Sequence, residues 1–508
     1  MSKHLSRGLK GTAVVAIFTV LAVGFGYLTR VFLARLITPE EFGLFYSVFT
    51  IFMFVAIFTD MGYNQALVKH VPEYLVSNDK KSLNNLIKYV FNINIALTFL
   101  VSIIVLSLSK ILSQNYLKIE SSEIILLFVV ILFFNNIFSM VQSLFQSYQD
   151  MYNYGLFYFL NKAVFFIGII ILAAIGYNRN AILPTIAYLT SLIIVLLLFT
   201  KPILKFLSCY SSPSKGDIKK KHQKHRLTYF DKKLFSKITR FAIPSTISNI
   251  SGTVIGYIDT IVLIFLAPLA TVGIYNATIS TILIVSYLGG VISIVLFPLI
   301  SELHTRKDKK SLETVVNITY RYSLMVVLPL AIAMLFFSRL ILKLLFGAAF
   351  EMGATAMSVL AIGTIFLTIF QVNSSVINGI GKPKILTYIT ITAAAFNLAG
   401  NIILIPYLGI NGAALATTTS YFIMMLWSQI YLYNKVNIRF HKILQTFISA
   451  AIFFAALYFV KILINTNILL EIIATCIIAG IFYAISLLVL KAITIEEIRS
   501  LFGKITKK

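Results

Sequence analysis

Fourteen apolar stretches, each long enough to cross a lipid bilayer as a helix, constrain this chain more than any other feature. Crossing about 30 Å of hydrocarbon takes roughly 20 apolar residues. The stretches are 11–29, 42–60, 86–109, 123–144, 155–176, 181–200, 241–266, 273–300, 319–337, 353–374, 384–406, 411–433, 443–464 and 468–490. Only 12% of the residues are charged, against about 25% in soluble domains. The sequence therefore predicts an all-α polytopic membrane protein with about fourteen spans.

An internal duplication organises these spans. The pentapeptide DKKSL occurs at 79–83 and again at 308–312, an offset of 229 residues. With one residue of slippage, PEEFGLFY (39–46) also falls on PLATVGIY (268–275). The DKKSL copies follow the second and eighth spans, so the repeat is six helices long and returns the chain to the same side. We predict two parallel six-helix lobes related by a pseudo-two-fold axis along the membrane normal.

The predicted boundaries follow from this repeat. The N-terminal lobe covers 1–200, a basic cytoplasmic linker 201–240, the C-terminal lobe 241–436, and two added spans with a tail 437–508. At the end of the linker, Phe230, Leu234, Ile238 and Phe241 share one helical face, which predicts an amphipathic helix at the membrane surface. A regulatory docking site is the alternative role for the linker. Between the lobes we expect a cleft that opens to one side or the other.

The net charge is +25, and the positions of the basic residues along the chain indicate its role. Most basic residues fall in alternate connecting segments, including both termini, which satisfies the positive-inside rule with both termini in the cytoplasm. The charge thus predicts topology in the cell membrane and contact with anionic lipids, and not nucleic-acid binding. The first span is expected to remain uncleaved.

Metal, cofactor and catalytic chemistry are not expected. Cys209 and Cys476 are the only two cysteines, and no ligand spacing surrounds them. No outer loop is long enough for the catalytic platform of a membrane glycosyltransferase, polymerase or ligase, so we expect a protein that is not an enzyme.

Polar residues recur at helical spacing within several spans. These stripes include Gln142 in the fourth span, Asn249 in the seventh, Gln371 and Asn378 in the tenth, and Asn397 in the eleventh. The offset of 229 places Gln142 on Gln371. Amide side chains often mediate helix packing in membranes, and that interpretation stays open. The alternative is a path for a polar, hydroxyl-rich cargo.

Charges inside the spans are few, and each is a candidate for function. Arg30 and Arg35 end the first span, where they could reach the outer headgroups or hold a phosphate with their planar forks. Asp259, near the outer end of the seventh span, could pair with Arg30 as a gate or as a structural bridge. Asp60 ends the second span. Lys162 lies deeper and needs a partner or an aqueous cavity.

Several strings together resemble one family. They are RVFLARLITPEEFGLFYSVF (30–49), DMGYNQALVKHVPEY (60–74), FAIPSTISN (241–249), DTIVLIFLAPLATVGIYNA (259–277), VLFPLISELH (295–304), INGIGKPKILTYIT (377–390) and LIPYLGINGAALATTTSY (404–421). The chain resembles, over about 1–435, lipid-linked oligosaccharide flippases, the polysaccharide-biosynthesis branch of the multidrug/oligosaccharidyl-lipid/polysaccharide exporter superfamily.

The resemblance implies that a polyprenyl-diphosphate-linked glycan is moved to the outer leaflet by alternating access. It also implies that Arg30, Arg35, Asp60 and Asp259 are cavity candidates, that the last two spans form a groove for the lipid tail, and that glycan polymerase or glycosyltransferase machinery acts alongside. A cation-coupled multidrug exporter with the same two-lobe plan is the alternative function.

Overall fold

The structure is a computed structural model that describes residues 3–117, 122–204, 232–433, 435–437, 440–463, 468–494 and 497. In several helices, including 3–13, 247–249 and 288–295, it describes the backbone alone. The longer helices are α1 (Lys3–Leu36), α2 (Pro39–Asp60), α3 (Tyr63–Val76), α4 (Lys80–Ser107), α5 (Glu123–Ser147), α6 (Met151–Ala174), α7 (Ile182–Leu198), α8 (Lys232–Leu266), α9 (Leu269–Thr305), α10 (Lys309–Phe336), α11 (Ser338–Phe346), α12 (Ala354–Gly379), α13 (Pro383–Leu408), α14 (Ile410–Tyr433), α15 (Phe440–Leu463) and α16 (Ile468–Val489).

The all-α prediction is confirmed. The described residues form helices, turns and bends without a strand, and each of the fourteen predicted spans falls on a helix. Within the described ranges, ten helices are long and apolar enough to cross a membrane, and three shorter apolar helices accompany them. The protein is therefore a multi-pass membrane protein. The sequence did not predict the amphipathic helices α3 and α11.

The duplication is visible in where the helices begin. α4 and α10 begin at Lys80 and Lys309, which lie 229 residues apart, and both helices are 28 residues long. Asp79 accepts the Ser82 N–H at 3.0 Å, and Asp308 accepts the Ser311 N–H at 3.1 Å. A carboxylate in this position satisfies a free N–H of the first helical turn. The DKKSL copies are thus paired helix starts.

One break departs from the repeat. α2 ends at Asp60, whose Oδ1 accepts the Gly62 N–H at 2.9 Å, and α3 begins at Tyr63 after two residues with positive φ, Met61 (42°) and Gly62 (75°). A Cβ on Gly62 would lie 2.4 Å from the Ala242 carbonyl oxygen, so this turn brings α3 directly against α8. The second copy has no such break, because α9 runs on to Thr305.

The chain forms two compact units, Met1–Asn276 and Ala277–Lys508. In the first, α1 packs on α6, α6 on α7, and α8 on α2 and α3. In the second, α14 packs on both α12 and α13, and α10 packs on α12. The predicted linker residues 205–231 lie outside the described residues, and the lobe boundaries at 200 and 241 stay a prediction.

The two added spans are α15 and α16, which pack on each other; α15 also packs on α10. Leu324 and Leu328 of α10 join Phe453, Leu457 and Tyr483 in one apolar cluster. The Tyr483 hydroxyl donates to the Met325 carbonyl at 2.9 Å. The added pair is therefore anchored to the second unit by burial and by a buried hydrogen bond.

An ion pair with one buried partner ties Glu497 to α10. Arg321 is only 3% exposed, and its Nη2 lies 3.0 Å from Glu497 Oε1. Lys442 Nζ lies 3.8 Å from the same oxygen. Removing one partner of such a pair leaves an uncompensated charge, which costs up to about 3–5 kcal/mol when both partners are fully buried.

Acid is expected to destabilise the protein through Glu497. Burial disfavours its charged form, but the Thr494 N–H and the Arg321 guanidinium hold the pKa of Glu497 below its ordinary value of 4.5. The stability that this carboxylate contributes is therefore present above a pH of about 4.5 and is lost as the pH falls through the lower pKa of the folded protein.

The melting temperature of the detergent-solubilised protein checks this expectation. At pH 7, Glu497→Gln should melt at least about 2–4 °C below the wild type, which is the shift for roughly 1 kcal/mol in a unit of this size. The difference should shrink below pH 4. Glu302→Gln is the control, since its pair with Arg306 is exposed and such pairs add little. If Glu497→Gln and the wild type had the same melting temperature at pH 7, the Arg321–Glu497 pair would not stabilise the protein.

Candidate functional site

Two cations from different helices lie together in the membrane-spanning part of the first unit. Arg30 of α1 is half-buried, and its Cζ lies 4.5 Å from the centre of the Tyr46 ring of α2. Its Nη1 also donates to the Asn276 carbonyl at 3.4 Å. Lys162 of α6 is half-buried and close enough to Arg30 for their charges to repel each other.

Tyrosine rings surround the lysine. Lys162 Nζ lies 5.8 Å from the Tyr158 ring centre and 5.9 Å from that of Tyr188. The Tyr188 hydroxyl donates to Asn135 Oδ1 at 3.3 Å, which fixes the ring on α7 against α5. The negative faces of such rings attract cations. Arg30, Tyr46, Tyr158, Lys162 and Tyr188 are called the Arg30–Lys162 site below.

Among the described residues, no carboxylate forms an ion pair with either cation of this site. Aromatic rings offset only part of the cost of holding two like charges within a membrane span. The arrangement is suited to an anion, and the planar guanidinium fork of Arg30 matches phosphate oxygens.

The other predicted charges make different contacts. Arg35 is exposed at the end of α1. Asp60 accepts the Gly62 N–H at the α2–α3 break, and Asp259 is buried and accepts the Tyr275 hydroxyl at 2.7 Å. Within the described residues, Arg30 and Asp259 do not form an ion pair. Asn249 lies in α8, and its side chain is outside the described residues.

The amide residues fall into two groups. Asn397 is buried between helices, where its Nδ2 donates to Thr417 Oγ1 of α14 at 3.2 Å and its Oδ1 accepts from Asn401 at 3.1 Å. It therefore takes part in helix packing. Gln142 and Gln371 occupy equivalent repeat positions and are both half-buried, as is Asn378. Gln371 Oε1 has no hydrogen-bond partner within the described part of the chain.

Other polar networks were missed by the sequence. Tyr320 of α10 donates to Asn373 of α12, whose Nδ2 donates to Ser428 Oγ at 2.8 Å and to Gln429 Oε1 at 3.1 Å. In the first unit, Asn94 donates to Asn64 at 2.9 Å. Each network joins residues that are far apart in the sequence, so helical spacing along one segment gives no signal of it.

The beginnings of α2 and α9 cross at two glycines. A Cβ on Gly43 would lie 1.8 Å from the Leu269 carbonyl oxygen, and a Cβ on Gly273 would lie 2.4 Å from that of Pro39. Gly273 is 230 residues after Gly43, and Leu269 is 230 after Pro39. The two contacts are therefore equivalents under the internal repeat, and both exclude any side chain.

Comparison with known proteins identifies the family. The profile described as "Polysaccharide biosynthesis protein" matches residues 9–304, and that described as "MatE" matches 244–403. The uncharacterized membrane protein MJ1068 of Methanocaldococcus jannaschii is 29% identical over 99% of this chain and all of its own length. The protein named probable low-salt glycan biosynthesis flippase Agl15, of Haloferax volcanii, is 24% identical over 45% of this chain and 48% of its own.

The fold has solved counterparts. The inward closed conformation of the lipid II flippase MurJ superposes with a TM-score of 0.74 at 17% identity, covering 93% of this chain and 98% of that one. At this identity the likeness concerns the fold alone. The first profile spans more than half of the sequence, and it confirms the resemblance described above. The chain thus belongs to the polysaccharide biosynthesis protein family, in the multidrug/oligosaccharidyl-lipid/polysaccharide exporter superfamily.

Proposed function

We propose that the protein is a flippase that carries a polyprenyl-diphosphate-linked oligosaccharide from the cytoplasmic to the outer leaflet by alternating access. The observation that carries the proposal is the Arg30–Lys162 site, where two cations without a described carboxylate partner lie among tyrosine rings. A diphosphate supplies the missing negative charge. The rings offer stacking faces to the sugars next to it.

The membrane potential supports the direction. With the cell interior negative, outward movement of a diphosphate is favoured by about 2.3 kcal/mol per charge per 100 mV. Return of the empty carrier moves its two cations toward the negative interior, so the same potential favours this step as well. This direction assumes the topology predicted from the basic residues, in which both termini lie in the cytoplasm.

An alternating-access transporter must close its outer side in one state and open it in the other. We propose that the Gly43–Gly273 crossing closes the outer side, because the predicted topology places the beginnings of α2 and α9 there. The contact is backbone on backbone at both glycines. Small residues of this kind let two helices approach closely in a membrane.

Deletion followed by analysis of lipid-linked glycans tests the proposal. The deletion strain is expected to lose surface glycan and to accumulate completed lipid-linked oligosaccharide that faces the cytoplasm. Complementation with the wild-type gene should restore both. Accumulation of unextended acceptor would contradict the proposal, since that outcome indicates a missing glycosyltransferase.

A cation-coupled drug exporter is the second candidate, and the MatE profile match over 244–403 favours it. Such an exporter needs a carboxylate that exchanges its cation partner, and Asp259 and Asp60 are the candidates. Normal surface glycan together with drug sensitivity in the deletion strain would select this function over flipping.

A further inference from the structure

A basic cavity lies away from the Arg30–Lys162 site, between α3 and the beginning of α8. Its volume is about 900 Å³, within the range of pockets that bind small ligands. All of its lining belongs to the first unit. The lining residues are Lys69, His70, Glu73, Ser236, Lys237, Arg240 and Phe241.

The cations of the cavity outnumber its carboxylates. Lys69, Lys237 and Arg240 face one carboxylate, Glu73. Glu73 Oε2 lies 2.9 Å from both His70 Nδ1 and Lys237 Nζ. The hydrogen bonds from His70 and then Lys237 lower the pKa of Glu73, so this carboxylate is ionised and already engaged at neutral pH. Lys69 and Arg240 therefore leave the cavity with an excess of positive charge.

The cavity also has an apolar wall. The Phe241 ring lies beneath Lys69 Nζ at 4.2 Å and meets the His70 ring edge to face at 5.7 Å. His70 is 3% exposed, and its Nε2 has no hydrogen-bond partner among the described residues. Charge on one side and an aromatic ring on the other suit an amphipathic anion better than a free inorganic ion.

Packing holds the basic face in place. Leu234, Ile238 and Ala242 of α8 are buried in one cluster with Leu67 and Val71 of α3. The hydroxyls of Tyr63 and Thr239 lie 3.1 Å apart. The apolar side of the amphipathic segment predicted at the end of the linker thus packs on protein. Its basic side is consequently presented to the cavity at a fixed spacing from Lys69.

We propose that this cavity binds the phosphate group of a lipid in the cytoplasmic leaflet. Arg240 and Lys69 contact phosphate oxygens as charge-assisted donors, and Phe241 contacts the first carbons of the lipid chain. The lipid is either the diphosphate-linked cargo before it enters the protein or an anionic phospholipid. The first source rests on the proposed flippase function, and the second does not.

Binding of two short-chain probes to the full-length protein in detergent tests this inference. The probes are farnesyl diphosphate and dihexanoyl phosphatidic acid. All variants are made in an Arg30→Ala/Lys162→Ala background, so that the Arg30–Lys162 site does not contribute to the measured affinity. A failure of the proposed flippase function is then distinguishable from a failure of this inference. Lys69→Gln/Arg240→Gln in that background is expected to weaken binding at least about tenfold, the effect of losing about 1.4 kcal/mol. Lys80→Gln/Lys81→Gln, exposed lysines at the start of α4, is the matched control.

A second variant is expected to change the binding affinity in the opposite direction. Glu73→Gln removes the one carboxylate of the cavity and is expected to tighten binding several-fold, which loss of folding cannot imitate. Preference for farnesyl diphosphate assigns the cavity to cargo, and equal affinity for both probes assigns it to lipid phosphate in general. The inference is overturned if neither probe binds, if the lysine and arginine changes leave affinity unchanged, or if inorganic pyrophosphate binds as tightly as the lipids.

Discussion

Replacing Arg30 or Lys162 with alanine is expected to slow transport at least about tenfold while the protein stays folded in the membrane. A hydrogen bond to a charged group contributes about 1.5–3 kcal/mol, and each 1.4 kcal/mol is tenfold. The double variant should abolish surface glycan, since no other cation is described at the site. Its melting temperature should stay close to that of the wild type, because the two charges it removes repel each other.

Charge-conserving variants separate binding from folding. Lys162→Arg should keep most of the activity, whereas Lys162→Gln, of similar size, should lose it. Arg30→Lys keeps the charge without the planar fork and should fall between wild type and Arg30→Ala. Lys110→Ala, at an exposed lysine beyond the end of α4, is the control and should behave as wild type. Normal transport in the Arg30→Ala/Lys162→Ala variant would remove phosphate recognition from this site.

Adding one methyl group at Gly43 or Gly273 is expected to stop the transport cycle. The new Cβ would lie 1.8 or 2.4 Å from a carbonyl oxygen of the facing backbone, far inside van der Waals contact, so the beginnings of α2 and α9 cannot close. The open state lacks this contact and should remain folded. Gly43→Ala and Gly273→Ala are expected to have the same effect, because the two contacts are repeat equivalents.

Cross-linking measures this closure directly. The test protein carries Glu40→Cys and Thr271→Cys in a Cys209→Ser/Cys476→Ser background. A short bifunctional maleimide should cross-link the two new cysteines when Gly43 is present and much less when Gly43→Ala is added. Gly24→Ala is the control, since a Cβ at Gly24 meets nothing within 4 Å. Full transport by Gly43→Ala would show that this crossing does not need to close.

Local signals in the sequence predicted much of the fold. Apolar length predicted the spans, and the DKKSL copies mark the paired starts of α4 and α10, where Asp79 and Asp308 cap equivalent helices. The turn after Asp60 was missed, although Met61–Gly62 carries a glycine with positive φ. Its counterpart in α9 continues as helix, so the repeat alone argues against a break there.

The candidate site was predicted only in part, because its residues come from several helices. Arg30 and Lys162 stood out as charges inside apolar segments, and Tyr158 lies one helical turn before Lys162. Tyr46 and Tyr188 reach the same place from α2 and α7, and no spacing within one segment indicates this. For the same reason the sequence gives no signal of the pair between Arg321 and Glu497, which lie 176 residues apart.

Flipping by the purified protein tests the central claim most directly. The protein is reconstituted into vesicles with lipid-linked oligosaccharide extracted from the deletion strain, and the sugar that an impermeant oxidant such as periodate can reach is measured over time. With the wild-type protein, the share protected in the inner leaflet should be lost, whereas Arg30→Ala/Lys162→Ala should leave it protected. Protection as complete with the wild-type protein as in protein-free vesicles would contradict the flippase function.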